Sequence, residues 1–216
     1  MRLAIVDPGS GNLASVRRAF ERAAHEEGVS LLVQVTTHAE DVLAADRVVL
    51  PGQGAFAACA RGLAALPGME EALRESAIQG GRPFLGICVG MQLMAERGLE
   101  HGNTPGLGWI KGEIAPMDPR GADGAPLPLP QMGWNALEPH AAHPLLAGLP
   151  EGAHAYFVHS YALSGGRREE LLASAAYGGD VAAVVGRDNL AGTQFHVEKS
   201  GPVGLHILRN FLRWAP

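Results

Sequence analysis

The first half of the chain alternates short apolar runs with segments whose apolar residues recur at helical spacing. Residues 2–6, 31–35 and 48–50 are apolar runs typical of buried strands, and Pro51-Gly52 interrupts the third. Between the first two runs, one face of a predicted helix is formed by Leu13, Val16, Ala19, Phe20 and Ala23. Strands that alternate with helices predict a mostly parallel central sheet with helices on both faces.

Further helices are predicted over about residues 55–65 and 69–79, and from Met91 through Glu96. Beyond them the pattern changes, and residues 105–137 predict short strands interrupted by an exposed, proline-rich loop. The chain on either side of this loop cannot form a core of its own. Residues 1–216 are therefore expected to form a single domain.

Four strands and a helix are predicted in the last third of the chain. The strands lie near residues 154–158, 171–176, 181–186 and 190–195. Ser200 is expected to cap a final helix, whose apolar face carries Val203, Ile207, Leu208 and Phe211.

Composition narrows the class of protein. A formal net charge of −5 gives no electrostatic reason for binding nucleic acid or an anionic membrane. No apolar run approaches the roughly 18 residues of a membrane span, and no signal peptide is expected. The two cysteines, Cys59 and Cys88, do not suggest a disulfide framework. Free thiols in the reducing cytoplasm are expected, with Cys59 as inert packing in a helix.

A glycine-rich run follows the first strand. Gly9-Ser10-Gly11-Asn12-Leu13-Ala14 matches the G-x-G-x-x-A part of a dinucleotide-binding fingerprint. That fingerprint needs an acidic residue near the end of the second strand, to bind the ribose hydroxyls. Here that strand ends in Val35-Thr36-Thr37, and Glu40 and Asp41 come only later. A tight turn that opens a helix is the better interpretation.

A candidate nucleophile, Cys88, lies in the run Gly86-Ile87-Cys88-Val89-Gly90, where a strand is expected to meet a helix. A nucleophile exposed on such a strained turn needs small neighbours, because bulkier ones would collide with nearby backbone. The helix that follows directs its N-terminus at the sulfur, which favours the thiolate. The backbone N–H of Val89 is then positioned to form half of an oxyanion hole. A small buried cysteine between two packing glycines is the alternative for the motif alone.

A histidine and a glutamate follow the last predicted strand, in Gln194-Phe195-His196-Val197-Glu198-Lys199. If the strand pattern persists, alternation places His196 and Glu198 on the same face. An imidazole that transfers protons, oriented by a carboxylate, is what a thiol nucleophile requires. Because the carboxyl ends of parallel strands share one edge of a sheet, Cys88 and His196 are expected to meet there.

The run Pro51-Gly52-Gln53-Gly54-Ala55-Phe56 follows another strand that ends at the same edge. Its glycines let backbone N–H groups approach a substrate closely, which supplies the other half of an oxyanion hole. Alone, this run is equally typical of a plain turn.

Together these residues resemble the class I, triad-type glutamine amidotransferases over nearly the whole chain. Within this class the chain is most similar to the glutaminase subunits of imidazole glycerol phosphate synthase, from histidine biosynthesis. The subgroup-specific parts include Gly11-Asn12-Leu13, the Pro51–Phe56 run, Gln131-Met132-Gly133-Trp134-Asn135 and Tyr156-Phe157-Val158-His159-Ser160-Tyr161. The resemblance implies a flavodoxin-like α/β fold with an antiparallel extension.

The resemblance also implies the roles of individual residues. Cys88 would attack the side-chain amide of glutamine, His196 would transfer the proton to the departing ammonia, and Glu198 would orient His196. A thioester forms, and water then releases glutamate. Backbone N–H groups of Gln53 and Val89 would form the oxyanion hole.

Further implied contacts concern the substrate and a partner. Gly52, Gln92, Ser160 and Tyr161 would hold the amino-acid end of glutamine. The ammonia would pass into a cyclase subunit with a (β/α)₈ barrel, in a heterodimer whose interface lies at or near Asn12, Gln131, Trp134 and Lys199. The resemblance implies no cofactor and no metal.

The chain departs from the family pattern at three positions. Val197 replaces the usual proline between His196 and Glu198, Gln53 replaces a small apolar residue, and Pro8 replaces an aromatic one. Three other interpretations stay open. These are the glutaminase of pyridoxal phosphate or anthranilate synthesis, a cysteine-elbow hydrolase or stress protein on a similar sheet, and a catalytically silent subunit that stimulates its partner.

Overall fold

The computed structural model describes all 216 residues. The chain forms fourteen strands: β1 (Arg2–Val6), β2 (Leu32–Thr36), β3 (Arg47–Gly52), β4 (Phe84–Cys88), β5 (Arg97–Gly98), β6 (Thr104–Pro105), β7 (Glu113–Pro116), β8 (Gln131–Ala136), β9 (Glu138–Pro139), β10 (His154–His159), β11 (Tyr161–Ser164), β12 (Leu171–Ala176), β13 (Asp180–Arg187) and β14 (Leu190–Thr193). Its α-helices are α1 (Leu13–Glu26), α2 (Ala39–Leu43), α3 (Phe56–Ala64), α4 (Met69–Leu73), α5 (Val89–Gln92) and α6 (Gly201–Arg213).

The main sheet has the strand order β2-β1-β3-β4-β14-β13-β12-β9. The five strands from β2 to β14 run parallel, and β13, β12 and β9 continue the sheet in antiparallel pairs. The parallel part follows the flavodoxin order, in which reactive groups collect at the carboxyl ends of the strands. The predicted mixed sheet with an antiparallel extension is therefore confirmed.

The helices form two groups, one containing α1 and α6 and the other α2, α3 and α4. In the first group, the rings of Phe20 and Phe211 pack edge to face, 5.9 Å apart. A single cluster of buried apolar residues runs from Leu3 to Trp214, so the helices and the sheet share one core. None of the helices is both long enough and apolar enough to cross a bilayer.

Two predicted boundaries are wrong for reasons of backbone hydrogen bonding. Strand β3 continues through Pro51 to Gly52, because its pairing with β1 ends at Val49 and proline's missing N–H breaks no bond on that side. The helix predicted from Met91 to Glu96 is instead the single turn α5. Backbone N–H groups of residues 107–110 occupy the carbonyls of residues 93–95, which ends the helix.

Other predicted segments lie close to where they were expected. The helix over 69–79 is α4 followed by a π-helical segment, Arg74–Gln79. Residues 105–137 contain short strands and a long loop, as predicted. Ser200 does stand at the start of α6, but its side chain makes no capping hydrogen bond.

Candidate active site

Cys88 ends β4 on a strained turn, with a backbone φ of 54°. Such positive φ values are costly for residues other than glycine and concentrate at functional sites. A β-carbon at Gly90 would lie 1.7 Å from the carbonyl oxygen of Leu50, and one at Gly86 would lie 2.7 Å from that of Gly90. Both positions flanking Cys88 therefore require glycine, which explains the predicted elbow.

The turn α5 begins immediately after Cys88 and ends at Gln92. A helix this short carries only a small part of the dipole that was expected to stabilise the thiolate. Stabilisation of a thiolate at Cys88 must therefore come mainly from the groups that face its side chain.

His196 and Glu198 are joined by a hydrogen bond of 2.8 Å between Nδ1 and Oε1, and both side chains are nearly inaccessible. Strand alternation does not bring them together, because β14 already ends at Thr193. The backbone leaves the main sheet, and the N–H of His196 donates to the carbonyl of Tyr156 in β10. Glu198 then lies in the 3₁₀ turn Val197–Lys199, which forms without the usual proline.

The imidazole of His196 is flanked by two acidic groups. Burial alone lowers its pKa, but hydrogen bonds with Cys88 and Glu198, and the negative charges of both, raise it to about 9. Because Nδ1 faces Glu198, Nε2 is the nitrogen available to the thiol. A protonated His196 between two anions is the arrangement that stabilises a thiolate.

The predicted oxyanion loop lies beside the elbow, since Gly52 of β3 pairs with Cys88 of β4. A β-carbon at Gly52 would come within 3.0 Å of the Val89 side chain. Gln53 and Gly54 follow, and Gly54 has a φ of 86°. The sequence therefore places the two proposed oxyanion donors, at Gln53 and Val89, on adjacent turns.

Cys59 in α3 contacts this loop through its thiol. Its thiol donates to the carbonyl of Gln53 over 3.2 Å and lies 3.0 Å from the hydroxyl of Ser10. Burial raises the pKa of the Cys59 thiol. Cys59 is thus a buried core residue, as predicted, that also holds the loop through a hydrogen bond.

These elements enclose a cavity of about 580 Å³. The groups with predicted roles that line it are Gln53, Cys88, Val89, Gln92, Ser160, Tyr161, His196 and Lys199. Gly52 does not line it, because it is buried at the end of β3. The side-chain amide of Gln92 donates to the carbonyl of Tyr161 and to Oε1 of Gln194, over 3.1 Å in each case.

Two cavity residues were missed by reasoning from sequence. Glu100 accepts a hydrogen bond of 2.7 Å from the N–H of Phe56, at the first turn of α3, and brings a carboxylate to the cavity. His159 is buried with its Nδ1 2.9 Å from the carbonyl of Tyr161. Burial lowers the pKa of His159 to about 4, so its ring is neutral. Glu100 sits in no recognised motif, whereas His159 lies within the Tyr156–Tyr161 run, which could have drawn attention to it.

The predicted partner residues differ in exposure. Trp134 on β8 is 54% exposed, and its ring packs edge to face on Tyr156 of β10. Asn12 is exposed and caps α1 by accepting from the N–H of Ser15. Lys199 is exposed beside the cavity, whereas Gln131 is fully buried and faces the opposite side of β8 from Trp134.

The sequence profile described as "Glutamine amidotransferase class-I" matches residues 5–214. The chain belongs to the class-I glutamine amidotransferases. This membership excludes an unrelated cysteine-elbow hydrolase or stress protein.

Relatives of this amidotransferase include proteins named "Imidazole glycerol phosphate synthase subunit HisH". The protein of this name from Brucella suis is 55% identical, over the full length of both chains. That from Mesorhizobium japonicum is 57% identical, again over both full lengths. That from Granulibacter bethesdensis is 57% identical over all of this chain and 97% of its own length.

Solved structures agree with the fold. A crystal structure of a glutamine amidotransferase superposes with a TM-score of 0.71 at 20% identity, covering 98% of this chain and 97% of its own. A glutamine amidotransferase from Thermotoga maritima gives a TM-score of 0.59 at 16% identity, covering 92% of this chain and 76% of its own. At these identities the likeness supports the fold alone.

Proposed function

We propose that this amidotransferase is the glutaminase subunit of an imidazole glycerol phosphate synthase and supplies ammonia for histidine biosynthesis. The observation that carries the proposal is the hydrogen-bonded pair of His196 and Glu198, with the imidazole of His196 lining the same cavity as Cys88. Full-length similarity to HisH proteins supports the choice of pathway over pyridoxal phosphate or anthranilate synthesis.

The first half-reaction forms a thioester. The Cys88 thiolate attacks the side-chain carbonyl carbon of glutamine, and the carbonyl oxygen becomes an oxyanion that accepts hydrogen bonds from the N–H groups of Gln53 and Val89. Protonated His196 then gives its Nε2 proton to the amide nitrogen. The C–N bond breaks, and ammonia leaves while the carbon remains bonded to sulfur.

The second half-reaction releases glutamate. His196 is now neutral and accepts a proton from water as the water oxygen attacks the thioester carbon. The C–S bond breaks, Cys88 departs as a thiolate, and His196 regains its positive charge. Glu198 keeps the imidazole oriented throughout and compensates the charge that appears on it.

The amino-acid end of glutamine carries an ammonium and a carboxylate. The carboxylate of Glu100 is the cavity group that suits the ammonium, because opposite charges in a partly enclosed site attract strongly. Backbone groups of Ser160 and Tyr161 would orient the rest of the amino acid, and the contact from Gln92 fixes the carbonyl of Tyr161. Gly52 would contribute indirectly, by letting the loop approach the elbow.

The partner would be a cyclase subunit with a (β/α)₈ barrel, joined in a heterodimer. Trp134 offers a large exposed aromatic surface of the kind that dominates interfaces. Asn12 and Lys199 would border the same contact, and Gln131 would support it from within β8. A closed route across this contact would keep ammonia unprotonated.

We also infer the wider setting of this reaction. Residues 1–216 would act as one amidotransferase domain that needs no cofactor. Both cysteines are free thiols, which is consistent with a cytoplasmic location.

Glutamate release measured with and without the partner tests the proposal. We expect little hydrolysis by the chain alone and strong hydrolysis once a barrel cyclase and its nucleotide ligand are present. Cys88→Ala should abolish hydrolysis while the complex still forms. Full activity without the partner would contradict the coupling, and an active Cys88→Ala variant would eliminate the mechanism.

A further inference from the structure

Ser200 lies directly behind the catalytic histidine and is fully buried. Its hydroxyl donates to the carbonyl of His196 over 2.7 Å and accepts from the N–H of Tyr156 over 3.0 Å. One hydroxyl therefore connects the backbone of β10 with the backbone of the histidine. Its proton and one of its acceptor sites are used in these two bonds, and it makes no capping hydrogen bond to α6.

The arrangement substitutes for a missing rung of a β-ladder. The N–H of His196 already donates to the carbonyl of Tyr156 over 3.1 Å. In a regular pair the reciprocal bond would join the N–H of Tyr156 to the carbonyl of His196. Here the chain has begun the turn Val197–Lys199, and the Ser200 hydroxyl bridges those two groups instead.

This bridge fixes the residue from which the imidazole projects. The N–H of His196 donates to the carbonyl of Tyr156. The carbonyl of His196 accepts from the Ser200 hydroxyl and also from the N–H of Lys199, over 3.1 Å. Beyond Cys88, the ionisable side chains that line the same cavity as the imidazole are Glu100, His159, Tyr161 and Lys199, and the His159 ring is neutral. None of these four forms a hydrogen bond with the His196 ring, so the position of the ring depends on the backbone that carries it.

We propose that Ser200 is a positioning residue for the reaction, whose hydroxyl holds the backbone of His196 so that the imidazole meets the Cys88 thiolate. The inference deepens the proposed glutaminase function and rests on it. Without the hydroxyl, the N–H of Tyr156 would be buried with no acceptor. The backbone would then shift to give this N–H another acceptor, and the imidazole of His196 would move away from Cys88.

The test compares Ser200→Ala with Ser174→Ala in the complex with the cyclase and its nucleotide ligand. Ser174 is an equally buried serine whose hydroxyl bonds to His140 instead of the site. We expect Ser200→Ala to lower kcat on the order of 10- to 100-fold with KM little changed, because small displacements of a catalytic group cost rate more than binding. Ser174→Ala should keep kcat, and thermal melting will confirm that both variants fold.

A second measurement does not depend on glutamine. The rate at which iodoacetamide alkylates Cys88 is followed against pH, with Cys88→Ala as the blank. A displaced imidazolium stabilises the thiolate less, so alkylation of Ser200→Ala should require higher pH than alkylation of wild type or Ser174→Ala.

The two measurements separate the outcomes. A wild-type complex without glutaminase activity would overturn the proposed function, and the alkylation profile would still test the role of Ser200. If Ser200→Ala matches Ser174→Ala in both kcat and alkylation profile, Ser200 is a structural residue only and the inference is wrong. The inference is also wrong if Ser200→Ala changes only the melting temperature or only KM.

Discussion

The charge on His196 should depend on Glu198, and replacing that carboxylate with an amide tests this directly. Glu198→Gln keeps the shape of the side chain and removes its negative charge. A rise in the His196 pKa from 6.5 to about 9 corresponds to roughly 3 kcal/mol of preference for imidazolium. This preference is net of burial, which by itself lowers the His196 pKa. Interactions of the ring with Cys88 and Glu198 supply it between them.

Removing the carboxylate charge beside the ring should lower the His196 pKa by about 1–3 units. The imidazolium is present below the pKa and is lost as the pH rises through it. At pH 7.5 most of the wild-type rings are therefore charged, and fewer are in the variant. We expect kcat for glutamine hydrolysis to fall on the order of 100-fold, the scale of general acid–base catalysis.

NMR titration of the histidine ring protons is the assay. His143 is an internal reference, because burial alone lowers its pKa and its ring packs on Trp214, away from the site. Its titration should not change between wild type and Glu198→Gln. If His196 titrates at the same pH in both proteins, or titrates below pH 7 in wild type, the ion-pair reasoning is wrong.

Three further predictions concern the elbow, the substrate and the partner. Gly90→Ala should lower the free energy of unfolding by at least about 2 kcal/mol in urea titrations, because its β-carbon would meet the Leu50 carbonyl at 1.7 Å. Gly166→Ala is the control, because the closest contact of its β-carbon is 3.2 Å, and it should lower the free energy of unfolding less. Equal losses in the two variants would contradict the packing argument. Glu100→Gln should raise KM for glutamine on the order of 10-fold with kcat kept, since a charged hydrogen bond is lost; an unchanged KM would exclude the ammonium contact. Trp134→Ala should weaken the cyclase complex by at least about 2 kcal/mol in calorimetry without lowering the melting temperature, and an unchanged affinity would move the interface elsewhere.

The sequence predicted the class of fold because apolar periodicity depends on local patterns, whereas the catalytic roles of Cys88, His196 and Glu198 stay a prediction. Apolar periodicity located the parallel strands, and the two glycines around Cys88 indicated a tight turn where β4 ends. His196 and Glu198 were paired correctly, but by a wrong route. Alternation along a strand was assumed, whereas the 3₁₀ turn beyond Thr193 brings them together.

Two of the errors share a cause, which is competition for hydrogen bonds by other segments of the chain. The helix expected after Cys88 ends early because residues 107–110 take its carbonyls. Ser200 was expected to cap α6, but β10 and His196 claim its hydroxyl. Glu100 reaches the cavity from a segment with no regular pattern. Such partners are set by tertiary packing, and no spacing rule within one segment reveals them.

The contact between the elbow and the neighbouring strand limits how this enzyme could be redesigned. The Leu50 carbonyl sits where a side chain at position 90 would be, and Gly52 rests against Val89. The proposed nucleophile and the proposed oxyanion donors are thus shaped by one shared surface of backbone. An engineer who wished to accept a bulkier acyl donor could not widen the loop alone, because any outward movement of β3 would also release the turn that holds the sulfur. Altered specificity is more attainable at Ser160 and Tyr161, which line the cavity but do not contribute to that surface.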